Sequence, residues 1–183
     1  RYIGRTQSFL QRGKPDNDVL LYWPVQDVFA MNTGSMLYQL TIDGATRWLS
    51  PTPFHQVAGQ LMAGGYGFDY ISDLQLDQTQ VTDGMLQAPG ATYQALVVPP
   101  CRYMPLTTLA KISALAKAGA RIIFMDHLPE DVPGLHQLIE RRKAFRRLED
   151  SLGGNRPFTN FNQESYGKGL VLAGGDIGDL LRG

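Results

Sequence analysis

The 183-residue sequence predicts an α/β domain, an open and mostly parallel sheet with helices on both faces. Three observations carry this expectation. The stretches Asp18–Trp23, Ala95–Val98 and Arg121–Met125 are nearly continuous apolar runs, as expected of strands covered on both sides. Segments with apolar residues at helical spacing lie between them. Gly or Pro punctuates most of the junctions.

The elements follow in order. Tyr2, Ile3, Phe9 and Leu10 recur at helical spacing and predict a helix from Tyr2 to Arg12, stopped by Gly13 and Pro15. The first strand comes next and Pro24 ends it. Residues 25–49 are weakly patterned, with Asn32-Thr33-Gly34-Ser35 as a turn signal, and read as a long loop. Pro51 opens an amphipathic helix whose stripe is Phe54, Val57, Ala58, Leu61 and Met62, closed by Gly64-Gly65. Phe68–Ser72 is the second strand. Residues 73–90 carry turns at Asp83-Gly84 and Pro89-Gly90 around a short strand, Met85–Gln87. After strand Ala95–Val98, Leu106, Leu109, Ile112 and Leu115 define a helix that Gly119 ends. Strand Arg121–Met125 leads to a helix over Leu135–Leu152, then a polar loop, Asn155–Ser165. Gly169–Ala173 is the last strand and Asp176 starts the last helix. No internal repeat or low-complexity tract interrupts this order, so the expected organisation is one domain over 1–183. Arg1 at one end and a helical pattern running to the other suggest a domain excised from a longer chain.

Composition excludes several classes. Seventeen basic and seventeen acidic side chains give zero net charge, which argues against a general nucleic-acid or anionic-membrane binder. One cysteine excludes an internal disulfide framework and an all-cysteine metal site. No apolar run approaches the roughly 20 residues of a membrane span. The histidines His55, His127 and His136 have no ligand spacing, so no metal is expected. Pro24-Val25-Gln26-Asp27-Val28-Phe29 stands where a nucleotide-binding glycine motif would follow the first strand, so no cofactor is expected either.

Open α/β sheets bind ligands at the carboxyl ends of their strands. Cys101 follows one strand and His127 the next, and Asp126 or Glu130 is near enough in sequence to orient the imidazole. That arrangement would be a cysteine hydrolase. The flank Pro99-Pro100 offers no glycine for a tight nucleophile turn, and a lone cysteine is usually a small apolar residue. Trp23, Trp48 and Phe29 with Asp27, Asp69 and Asp73 combine aromatic planes and acids, the chemistry of sugar binding; Asp69, inside a strand, reads equally as a structural acceptor. The basic run in Glu140–Arg147 reads as a solvated helix face, with Arg146 and Asp150 as an i, i+4 pair.

The strings themselves carry a resemblance. Arg5-Thr6-Gln7-Ser8-Phe9-Leu10-Gln11-Arg12-Gly13-Lys14-Pro15 running into Asp18–Pro24, and Gly65-Tyr66-Gly67-Phe68-Asp69-Tyr70-Ile71-Ser72-Asp73, resemble large bacterial glycoside hydrolases of family 106, the α-L-rhamnosidases. Val81–Leu86, Tyr93–Pro99, Met104-Pro105 and Ala118-Gly119-Ala120 agree, so the likeness runs from Arg5 to Glu140. It implies an accessory α/β domain, a flavodoxin-like or class I amidotransferase-like three-layer sandwich that follows a catalytic barrel. The catalytic carboxylates and calcium site would belong to that barrel, so no catalytic residue carries over, nor does the amidotransferase cysteine motif.

Two readings result. In the first, the chain is an accessory domain of a glycosidase, structural, substrate-lining or oligomer-building and inert alone. Trp23, Asp27, Phe29 and Asp73 then face the barrel or its carbohydrate substrate, in a periplasmic or secreted bacterial enzyme. In the second, it is a self-contained amidotransferase-like hydrolase that uses Cys101 and His127.

Overall fold

The computed structural model describes residues 2–10, 13, 16–31, 40–154 and 162–182. Its elements are α1 (Tyr2–Leu10), β1 (Val19–Tyr22), α2 (Val25–Ala30), α3 (Ala45–Trp48), α4 (Pro53–Ala63), β2 (Phe68–Ile71), α5 (Asp73–Gln78), β3 (Gln80–Thr82), β4 (Met85–Ala88), β5 (Ala91–Tyr93), β6 (Ala95–Val98), α6 (Leu106–Ala118), β7 (Arg121–Met125), α7 (Leu138–Ser151), β8 (Asn162–Tyr166), β9 (Gly169–Gly174) and α8 (Ile177–Arg182).

The main sheet has the order β2-β1-β6-β7-β9-β8. Its first five strands are parallel, and β8 closes the edge as the antiparallel partner of β9. The period of two along each strand divides the core. Leu20, Tyr22, Leu96, Val98, Ile122 and Phe124 face one layer with α6, α7 and α5. Val19, Leu21, Val97, Ile123, Met125 and Leu172 face the other, with α4 and α8. Every residue of β1 and β6 is buried, as cover on both faces requires.

Capping chemistry sets two helix starts. Thr52 Oγ1 accepts from His55 N–H at 3.2 Å, with Pro53 at the first helical position of α4. Ser72 and Gln75 form a reciprocal capping box at α5. Gly119, at φ 125°, ends α6 in a conformation that a Cβ would strain.

The structure corrects several sequence expectations. Residues 73–90 hold α5 and the start of a three-stranded antiparallel meander, β3-β4-β5, instead of one short strand between turns. Leu76, Leu86 and Tyr93 of this insertion are buried against the α6 side of the sheet. The expected loop at 25–49 contains α2 and α3; its turn signal, residues 32–35, lies outside the described residues. Met62 is 71% exposed, so the stripe of α4 is Phe54, Val57, Ala58 and Leu61. Helix α7 starts at Leu138, three residues late, because 131–137 is tied into a loop. Part of the expected polar loop at 155–165 is β8, an edge strand that pairs through its backbone; residues 155–161 lie outside the described residues.

Candidate functional site

Ligands in this topology sit at the carboxyl edge, where neighbouring connections leave for opposite faces of the sheet. Here that switch point lies between β1 and β6. Its loops are Trp23–Val28 and Pro99–Met104, and Asp27 occupies the gap between them. Both Asp27 carboxylate oxygens are engaged: Oδ2 accepts from Arg102 N–H at 2.7 Å and Oδ1 from Tyr103 N–H at 2.6 Å. Two adjacent backbone N–H groups are the usual equipment of an anion site. In this chain the protein's own carboxylate fills it. Burial pushes the Asp27 pKa up, and the two N–H donors pull it back in part.

The ties continue across the edge. Arg102 C=O accepts from the N–H groups of Glu130 and Asp131, and Met104 N–H donates to Asp131 C=O. Asp131 in turn takes a forked contact from the Arg142 guanidinium of α7, which holds its carboxyl below the ordinary range. Arg141 donates to the carbonyls of Pro133, Gly134 and His136, each at 2.7 Å. The loops after β1, β6 and β7 thus form one braced unit. The ion pair made by the basic run is Arg142–Asp131; among the described residues, Arg146 and Asp150 make none.

Asp73, at the start of α5, is also committed. Its Oδ1 accepts from Tyr22 Oη at 2.8 Å and from Thr108 Oγ1 at 2.6 Å, tying β1, α5 and α6 together. Tyr22 is completely buried, and burial followed by the Asp73 charge pushes its phenol far above the usual range. Asp69 Oδ2 accepts from Tyr93 Oη at 2.8 Å. The Tyr93 pKa is pushed up to about 12 by burial and by that carboxylate.

Cys101 is only 3% exposed, within the apolar cluster of the α6 layer. Burial, reinforced by the charges of Asp27, Asp73 and Glu130, pushes its thiol well up. Such surroundings suppress the thiolate that nucleophilic chemistry requires. His127 Nδ1 is engaged with the carbonyl of Leu128 at 2.7 Å. Asp126, just before it, holds φ 59°, and its amide donates to Gly174 C=O, fixing the turn after β7. Among the described residues no three His, Cys, Asp or Glu side chains group as metal ligands, and no helix is long and apolar enough to cross a membrane.

Two open concavities flank the braced unit. One, of about 350 Å³, is lined by Trp23, Leu49, Phe54, Tyr70, Ile71, Ser72 and Gln75. Trp23 stands edge-on to Phe54 at 4.4 Å and to Trp48 at 6.1 Å between centroids. The other, of about 340 Å³, lies beside Phe29, Tyr103, Asp131, Leu135 and Arg142. Of the four residues expected to face outward, Trp23 and Phe29 line these concavities; Asp27 is engaged with internal donors, and Asp73, engaged likewise, also lines a third concavity of about 300 Å³ with Asp77, Thr108 and Lys111. Sequence reading missed the roles of Asp131, Arg141 and Arg142. The signal for the capping box, Ser72 three residues before Gln75, was visible in the sequence.

The fold and this edge define a doubly wound α/β domain with an internally occupied switch point. The family model for alpha-L-rhamnosidase, glycoside hydrolase family 106, matches residues 1–183, and the chain belongs to that family. A Formosa agariphila protein described as "Putative beta-glucuronidase" is 29% identical over all 183 residues, which make up 12% of that relative. A rhamnosidase structure from Novosphingobium sp. PP1Y matches 99% of the chain with TM-score 0.58 and 21% identity, over 15% of its own length. That likeness is one of fold. The chain therefore spans only 12% and 15% of these two relatives.

Proposed function

We propose that this chain is an accessory, non-catalytic α/β domain of a family 106 glycoside hydrolase acting on α-L-rhamnosides, and that the catalytic barrel of the parent chain is its partner. The observation that carries the reading is the commitment of Asp27 and Asp73, the two carboxylates that the sequence offered as substrate-facing at this edge. Glycoside hydrolysis asks for two carboxyl groups facing one bond across an open cleft, roughly 5–10 Å apart. Asp27 accepts from two backbone N–H groups and Asp73 from two hydroxyls, so both carboxylates serve to hold the fold together. The short share of its relatives that the chain covers supports the same view. Burial of the Cys101 thiol supports this reading over a self-contained cysteine hydrolase.

The test is turnover of an aryl α-L-rhamnoside by the full-length parent and by residues 1–183 alone. The expected result is activity in the first and none in the second. In the parent, Cys101→Ala should keep turnover within about tenfold of wild type, since it removes no reacting group. Hydrolysis by the isolated chain would overturn the proposal.

A further inference from the structure

Polar and apolar groups are sorted unevenly over this molecule. Ten large hydrophobic side chains are exposed among the described residues. Eight of them lie at the end of a strand or on a connection leaving the carboxyl edge: Phe29, Leu40, Ile42, Met62, Tyr70, Leu74, Leu135 and Ile139. Two of them, Phe29 and Leu135, come from separate connections to one concavity, and Ile139 lies four residues beyond Leu135. Phe29 of α2 is 65% exposed, Leu135 is 87% exposed and Ile139 of α7 is 80% exposed. Phe29 and Leu135 rim the 340 Å³ concavity, with the Asp131–Arg142 pair on its wall.

Scattered exposed apolar residues need no explanation, but a cluster on a braced frame does. Leaving a Phe, a Leu and an Ile in water forgoes about 1.5–3 kcal/mol of burial for each. The frame is fixed before any partner arrives. Asp27 ties α2 to the loop after β6, that loop is tied to 130–131, and Arg141 and Arg142 hold 131–136 against α7. A rigid apolar patch with an arginine at its border has the anatomy of a protein–protein contact. The charged pair on its wall, Asp131 and Arg142, satisfies itself.

We infer that Phe29, Leu135 and Ile139 form a docking face that packs on an apolar surface elsewhere in the same polypeptide. This inference rests on the accessory-domain reading. The occupant follows from length: this chain matches 12% of its curated relative, so 88% of such a polypeptide lies outside the matched segment and is tethered to it. Tethering raises the local concentration of that surface into the millimolar range, where a modest patch suffices for docking.

The experiment uses the full-length parent. Leu135→Asp combined with Ile139→Glu, and separately Phe29→Asp, are compared with Met62→Asp, a control at the far end of α4. Limited proteolysis and hydrogen exchange of 25–31 and 135–145 are followed. Docking predicts that the patch variants release a domain of about 20 kDa at least tenfold faster than wild type and lose protection in both segments. Met62→Asp should do neither. All four positions are exposed, and circular dichroism checks that each variant is folded. Wild-type release and protection in the patch variants would overturn the docking face. So would loss of a dimer in sedimentation without domain release, which would make the face a contact between copies. Protection gained only on adding a rhamno-oligosaccharide would overturn it too, in favour of a sugar subsite. In each of these cases an inert isolated chain would leave the accessory-domain reading standing, whereas an active one would remove that reading on its own.

Discussion

The amino and carboxyl edges of the sheet solve the same problem by different means. Both must bring several backbone segments together where strands end. At the amino edge the chain does so by omitting side chains. A Cβ on Gly67 would meet Asn17 Oδ1 at 2.6 Å, and one on Gly169 would run into the carbonyl oxygens of Ala116 and Ala120. At Gly169 backbone lies directly on backbone; at Gly67 it lies against the Asn17 side chain, and Asp18 Oδ1 accepting from Gln94 Nε2 at 2.6 Å is the exposed carboxylate bridge of this edge. At the carboxyl edge the segments stand further apart and carboxylates bridge them: Asp27 to the loop after β6, Asp73 to Tyr22 and Thr108, Asp131 to Arg142. The first arrangement draws the segments into direct contact. The second leaves room between its braces for Trp23, Phe29 and Leu135 to face outward. A fold can thus keep one edge for stability and the other for contact.

That contrast predicts a hierarchy of damage. Gly169→Ala should be the most severe change, because its new methyl group has only main-chain atoms to displace, with no flexible side chain to yield. A loss of about 3 kcal/mol or more is expected, read as a drop in the denaturant midpoint or as failure to fold. If Gly169→Ala melts within a degree or two of wild type, the two edges do not differ as described. Asp27→Ala should come second. It strands the N–H groups of Arg102 and Tyr103, at about 1–3 kcal/mol. Asp27→Asn, which keeps one acceptor oxygen, should recover part of that loss.

What the sequence made legible follows the same division. The parallel sheet could be read because Val19–Tyr22, Ala95–Val98 and Ile122–Met125 are apolar on both faces, and nothing but a central strand suits such runs. The meander could not, because Gln80–Thr82 and Ala91–Tyr93 are three residues each and half polar, too short for any period to register. Strand β8, Asn162–Tyr166, has the composition of a loop and is held by its neighbour's backbone. At the candidate site the residue types were right and their directions were not. Asp27 and Asp73 were picked as acids near strand ends. Whether a carboxylate points to solvent or into the protein depends on donors such as Tyr103 N–H, 76 residues away in the chain. Arg142 met Asp131 across a loop whose path no local pattern specified.

Glu149 gives the smallest and most specific test of the comparison. Like Asp27 it is an acid held mostly out of water, 5% exposed on the last turn of α7, but it lies toward the amino edge. Asp27 has two backbone donors to offset its burial. For Glu149, burial and then the neighbouring Asp150 charge dominate, and its carboxyl is pushed up to about 7. The sign follows from linkage. The folded pKa lies above the unfolded value of 4.5, so the folded chain holds the proton more tightly than the unfolded one. Stability from this group is therefore fully present below pH 4.5 and is lost as pH rises through about 7. A loss on the order of 1–2 kcal/mol is expected from a shift of this kind at a site water can still approach. Glu149→Gln removes the titration while keeping the shape. In urea titrations of the chain, the midpoint of the wild type should fall between pH 5 and pH 8 relative to Glu149→Gln, and the two curves should meet at the acid end. Parallel curves across that range would mean that Glu149 is as well compensated as Asp27.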